Sequence, residues 1–303
     1  MNFTIESLNQ EYALQQQLVF KQLPSGIVVA HIATPLATAT ISLYGGQVVE
    51  WRPKDQLTPV LWVSKLASFT LGKAIRGGVP ICWPWFGSHP TSPHLPGHGY
   101  ARIAPWDVAA TELMSGGAVR ITLTMQDTEM SLAYFPCLVR LTVQITVGEE
   151  LTVELSTSNG SNQDIVLTEG LHTYFKVADV SDIQVLGLEG AQYVDLIRGN
   201  TIATQEGPIR FDGELGRIFT NSNATCVIVD PGLARRITVQ KKGSLSTAVW
   251  NPWAQIAAKV DDLGSAGWRD MVCVESANAL GNSVTVGPNA SHVMGIIYAA
   301  EAI

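Results

Sequence analysis

Residues 139–159 read VRLTVQITVGEELTVELSTSN, and this run limits the possible folds more than any other. Leu141, Val143, Ile145 and Val147 alternate with Thr142, Gln144 and Thr146. Alternation with period two places one apolar face on a core and leaves the other polar, which is the mark of a strand and not of a helix. Gly148-Glu149 ends this strand and Gly116-Gly117 an earlier one, each where a tight hairpin turn is required. Short β-branched segments recur before and after it. GIVVAHIA, LATATISLYGG, PVLWV, WDVAATELM and AVRITLTMQ precede it, and DIVLT, HTYFKV, DIQVLGL, CVIVD, RITVQ, TAVW, MVCVES and HVMGIIYAA follow. Many short strands separated by turn residues predict an all-β chain, a large antiparallel β-sandwich. A short N-terminal helix precedes it, because Ile5, Leu8, Tyr12 and Leu18 fall at helical spacing within residues 4–18. Residues 252–260 and 261–269 read as helical or irregular interruptions. There is no βαβ rhythm, no GxGxxG and no P-loop, which disfavours a doubly wound nucleotide-binding fold.

Length alone would allow about two domains. No linker-like shift of composition and no internal repeat divides the chain, so a single domain over 1–303 is expected. With 46% hydrophobic and 15% charged residues it has ample material for one core. The net charge of −7 opposes a general nucleic-acid or membrane-surface role, and an anionic small molecule would need a local basic pocket. Cys82, Cys137, Cys226 and Cys273 form no CxxC pair and sit among apolar neighbours. They read as free thiols in a reducing compartment. The start, MNFTIESLNQEY, lacks the basic and apolar regions of a signal peptide, and no apolar run approaches a membrane span. A cytoplasmic location is expected.

The stretch 75–102 reads IRGGVPICWPWFGSHPTSPHLPGHGYAR. Its prolines remove backbone donors and its glycines free φ, so it is neither helix nor regular strand. It also carries Trp83, Trp85, Phe86, His89, His94, His98 and Tyr100, between Arg76 and Arg102. Long loops with such chemistry are usually functional. A plug of tryptophans at the end of a sandwich is the other reading, and the two are compatible.

Three further stretches carry chemistry. In TEGLHTYFKV, an extended chain puts His172, Tyr174 and Lys176 on one face and Thr173, Phe175 and Val177 on the other, core-like face. A histidine on a polar, aromatic face can move a proton near neutral pH, although alone it would read as a satisfied sheet residue. In MVCVESAN, Met271, Cys273 and Glu275 share a face. A carboxylate buried in so apolar a strand needs partners, and desolvation raises its pKa toward that of a general base. A buried ion pair with an arginine fits the pattern equally well. In VWNPW, Trp250 and Trp253 could wall a sugar site with Asn251 bonding a hydroxyl, or Trp250 could be core. His31 and His292 lie in strand-like runs and read as structural. His89, His94 and His98 match no metal-ligand spacing, and no GxSxG elbow supports a serine nucleophile.

Together these strings resemble the hexose-6-phosphate mutarotases, or glucose-6-phosphate 1-epimerases, of the aldose 1-epimerase superfamily. IRGGVPICWPWFG, HGYAR followed by Pro105-Trp106, LHTYFKV, VWNPW and MVCVESAN come in family order from Ile75 to Asn278. The resemblance implies the galactose mutarotase-like supersandwich and an isomerase that interconverts the anomers of a hexose 6-phosphate, glucose 6-phosphate first, without a cofactor. It implies His172 and Glu275 as the catalytic acid and base, and Arg76, Arg102 and His98 as substrate contacts. Gly97 and Gly216 stand where the family often has a glutamine and an aspartate, which bears on sugar specificity. Substrate as the sole partner, a monomer and no metal are the accompanying expectations. An aldose 1-epimerase for free hexoses is the alternative within the superfamily, and a non-catalytic carbohydrate-binding or regulatory protein is the alternative outside catalysis. Paired arginines argue against the first and the His–Glu pair against the second.

Overall fold

A computed structural model describes residues 4–125 and 127–303. The first three residues of the N-terminal stretch, and Gln126 at the end of the expected AVRITLTMQ strand, lie outside the described residues. Two eight-stranded antiparallel sheets face each other, with a four-stranded and a two-stranded sheet beside them. The first large sheet runs 201–204, 192–195, 215–219, 246–251, 271–278, 169–171 and 81–82, with 174–176 also paired to 271–278. The second runs 184–186, 226–230, 235–242, 291–302, 151–159, 139–147, 119–125 and 106–113.

The alternating run behaves as its pattern requires. Leu141, Val143, Ile145 and Val147 are buried, and strand 139–147 pairs in register with 151–159. Each such aliphatic side chain contributes about 1.5–3 kcal/mol on full burial. Both turns fall where the glycines placed them, and Gly116 and Gly117 have the positive φ that the first one needs. The two large sheets meet through Phe175 edge-on to Tyr298, Thr173 bonded to the Tyr298 hydroxyl, and the Trp83 indole donating to Thr157. One cluster of buried apolar residues extends from Leu8 to Tyr298.

The N-terminal helix is shorter than its periodicity suggests. It spans Ile5–Tyr12, capped reciprocally by Thr4 and Ser7, and Leu18 opens a strand instead. The chain turns at Gln16, which has φ 64°, and Asn9 fastens the new strand to the helix by bonding the Phe20 backbone through its amide nitrogen and oxygen. PVLWV forms only isolated bridges, through Leu61 and Val63. Strands Gln47–Pro53, Gln192–Asp195, Thr201–Thr204 and Leu215–Phe219 have no counterpart among the expected segments.

The loop 75–102 is both plug and wall. Trp83, Trp85 and Tyr100 are buried in the core, whereas Phe86 and His98 face a cleft. Its glycines permit the close passage. A Cβ on Gly99, at φ 73°, would lie 1.9 Å from the Trp83 carbonyl oxygen, and one on Gly78 would lie 2.1 Å from that of Val48.

Candidate active site

Strand 271–278 is buried on both faces. Val272 and Val274 enter the space between the sheets, while Glu275 emerges opposite, beneath Ala248 of the neighbouring strand. The 169–171 and 174–176 strands pair with it from the other side, and His172 sits in the break between them. Its backbone amide donates to the Pro80 carbonyl at the base of the loop. His172 and Glu275 thereby line one cleft of about 280 Å³ with Arg76, Phe86, His98, Gly216, Ile218 and Trp250. A larger cleft of about 950 Å³ is mostly apolar and contains the Lys176–Asp270 ion pair but neither His172 nor Glu275. The smaller cleft is the one with proton-transfer chemistry.

His172 Nδ1 lies 3.5 Å from Glu275 Oε1, without hydrogen-bond geometry. His172 Nδ1 and Glu275 Oε2 are buried and unpartnered. Burial pushes the Glu275 carboxyl well above its ordinary range, against the pull of Arg102. Burial also pushes His172 well below its ordinary value, helped by His98 and by the charges of Arg102 and Arg76. Both shifts have the same cause, the cost of a charge in a desolvated site. Both directions disfavour an ion pair and favour the neutral forms of the two groups at rest.

The surroundings fix these groups. The His172 ring stacks on Tyr174 at 4.8 Å and meets Trp250 edge-on. The Tyr174 hydroxyl accepts from Arg76 Nη1 at 3.0 Å, and Asp262 accepts from Arg76 Nε at 3.1 Å. His98, at φ 62°, is clamped to Gly87: its amide donates to the Gly87 carbonyl, and its Nδ1 accepts the Gly87 amide proton. An amide can only donate, so the ring proton resides on Nε2. Burial first, then Arg102 and Arg76, lowers the His98 pKa to about 3 and keeps the ring neutral.

Several expectations change here. Tyr174 shares the His172 face, as the alternation requires, but Lys176 turns into the larger cleft and pairs with Asp270. Asn251 does not reach the cleft. It is fully buried, donates to the Trp268 and Met271 carbonyls and accepts from the Trp253 amide, and so holds the turn. Trp253 packs on Trp268, leaving Trp250 as the indole in the cleft. Arg102 bonds the Gly97 carbonyl through Nη2 at 2.6 Å, and its charge acts on His98, His172 and Glu275. Arg217 also lines this cleft, with its guanidinium on the Tyr193 ring and bonded to Gln205. His292 is structural as expected: it pairs at 2.9 Å with buried Glu169 and so ties one large sheet to the other. Asp262, which orients Arg76, was missed, since nothing local marks one acid in a polar turn. All four cysteines are free.

The architecture is that of the galactose mutarotase-like proteins. A crystal structure of a Salmonella typhimurium protein, provisionally named a mutarotase, matches with a TM-score of 0.89 and 29% identity over 96% of each chain. A galactose mutarotase-like protein from Clostridium acetobutylicum shares the fold at TM-score 0.70 and 14% identity, over 97% of this chain and all of the other. The chain belongs to the aldose 1-epimerase family, a family of isomerases, which it matches over residues 29–299. Two relatives provisionally named glucose-6-phosphate 1-epimerase, from Salmonella typhimurium and Cenchrus ciliaris, are 34% and 32% identical to it. The alignments cover 84% and 82% of this chain and 83% and 77% of those proteins.

Proposed function

We propose that this protein interconverts the α and β anomers of a hexose 6-phosphate, with glucose 6-phosphate the first substrate to test. The observation that carries the reading is the His172–Glu275 pair, buried and 3.5 Å apart in a cleft that a guanidinium also enters. The family and the names of the relatives agree with it. Ring opening needs a proton taken from the anomeric O1 hydroxyl and a proton given to the ring oxygen. Glu275 takes the first and His172 gives the second. The C1–O5 bond opens, the C1–C2 bond rotates, and the ring recloses on the other face with the two roles exchanged. Each positioned group contributes on the order of 10²–10⁴-fold.

The working pair, imidazolium and carboxylate, holds the same number of protons as the resting neutral pair. One proton passing from Glu275 to His172 converts one into the other. Arg76 and Arg102 are among the charges that disfavour a proton on His172. A phosphate dianion seated on Arg76 offsets that field and favours the working form. Trp250 offers the sugar an apolar face, and His98 a fixed Nε2–H for a hydroxyl. Arg102 adds positive potential from the Gly97 side. The main buried cluster, which extends from Leu8 to Tyr298, and the extent of the family match support one domain over 1–303. Two-dimensional exchange NMR on equilibrated glucose 6-phosphate tests the reading: enzyme-dependent cross-peaks between the α and β H1 signals are expected. Their absence at micromolar enzyme, with sugar binding intact, would leave a carbohydrate-binding protein.

A further inference from the structure

We propose that His172, Cys273 and Glu275 form a capture site for a borderline-soft divalent cation of the zinc class, which blocks the cleft by taking both proton-transfer groups. A ring nitrogen of His172, the Cys273 sulfur and a Glu275 carboxylate oxygen all lie within 4.8 Å of one another, and all three residues are buried. Cys273 and Glu275 are two apart on one strand and so share a face, and the 174–176 strand brings His172 beside them. His172 Nδ1 and Glu275 Oε2 have no hydrogen-bond partner. A buried polar atom without a partner is held at a cost, and a metal ion removes it.

The donor set selects the ion. Magnesium and calcium take oxygen ligands, whereas thiolate, imidazole and carboxylate together suit zinc and its congeners. Zn–S near 2.3 Å and Zn–N near 2.0 Å require tetrahedral donors about 3.3–3.7 Å apart. His172 and Glu275 already meet that spacing at 3.5 Å, and the widest separation closes by about 1 Å. Three protein ligands leave a fourth position for water. Binding takes the thiolate form of Cys273 and the carboxylate form of Glu275, so a proton held by either passes to solvent. A divalent ion with one thiolate and one carboxylate sums to zero charge, so Arg76 and Arg102 confront a neutral site. The inhibition that follows rests on the proposed reaction, but the binding does not.

Cobalt(II) is the probe for binding, added to the metal-free full-length protein. One equivalent is expected to produce the visible bands of tetrahedral cobalt and a thiolate charge-transfer band in the near ultraviolet. Zinc should displace it. Cys273→Ser, with Cys273→Ala as a second variant should the first misfold, should lose the charge-transfer band, while Cys137→Ser keeps it. Zinc should slow anomer exchange competitively with the sugar phosphate and reversibly with chelator, and Cys273→Ser should raise the inhibition constant at least tenfold. Absence of cobalt bands at millimolar metal, or bands unchanged in both Cys273 variants, overturns the site. If the bands behave as expected and no anomer exchange is found, the metal site stands and the proposed reaction falls.

Discussion

Replacing Arg76 with alanine separates phosphate recognition from proton transfer. A guanidinium has five N–H donors. In Arg76 the Nε–H is held by Asp262 and one Nη1–H by Tyr174, leaving three to meet a ligand. Two of these can grip a phosphate side by side, because the fork is already oriented. Charge-assisted bonds contribute roughly 1.5–3 kcal/mol each. The Asp262 carboxylate and a side chain that is 27% exposed both reduce the sum. A net loss of about 2–3 kcal/mol corresponds to a rise of about 30- to 150-fold in KM for glucose 6-phosphate. Free glucose makes no such contact, so its KM should change less than about threefold. The kcat values should stay within about an order of magnitude, because His172 and Glu275 remain in place. The assay is saturation-transfer NMR of anomer exchange on both sugars, across a range of concentrations. Equal loss on both sugars would refute the phosphate grip. Equal kcat/KM for the two sugars in the unaltered protein would do so more directly and would favour a free-aldose mutarotase.

Glu275→Gln should retain sugar-phosphate binding by calorimetry while kcat falls by about 10²–10⁴-fold, and near-normal turnover would remove Glu275 from the mechanism. The pH profile of kcat/KM should be bell-shaped, because the working pair holds one proton. It should fall on the acid side below the ordinary histidine pKa as depressed His172 takes up a second proton, and on the alkaline side as elevated Glu275 loses the last; a single acid limb near 6.5 would show that these buried groups do not control the rate. Tyr174→Phe should raise KM for glucose 6-phosphate by a smaller factor than Arg76→Ala, since Asp262 still holds the guanidinium, and an unchanged KM would show the hydroxyl bond to be idle. The His292 pKa is raised, chiefly by its bond to Glu169, so the stability it contributes is complete below the unfolded value near 6.5 and is lost as pH rises through the higher folded value. The melting temperature should therefore decline over that interval and His292→Gln should flatten the decline; an identical decline in the variant would remove His292 as its source.

The all-β class was legible because one-face burial imprints a local period. Leu141 to Val147 carries it in every second residue, and the glycine turns mark where each hairpin folds back. Legibility failed where no face is buried or where a distant group intervenes. Thr201–Thr204 is exposed throughout and has no alternation to read. Leu18 fits the helical spacing, yet it pairs with Ile32 in a strand that Asn9 fastens to the helix. His172 and Glu275 could be chosen one at a time, as a histidine on a polar face and a carboxylate in an apolar strand. Their 3.5 Å approach, and the burial that moves both pKa values, depend on pairing with the 271–278 strand. The anchoring of the arginines was a tertiary outcome as well: Asp262 and Tyr174 hold Arg76 in the cleft, while Arg102 bonds the Gly97 carbonyl. The sequence by itself thus determined which residues could do chemistry and which segments were strands, since both follow from side-chain type and local period. Only the tertiary structure decided which side chains meet, because hydrogen bonds and desolvation are set by contacts between residues far apart along the chain.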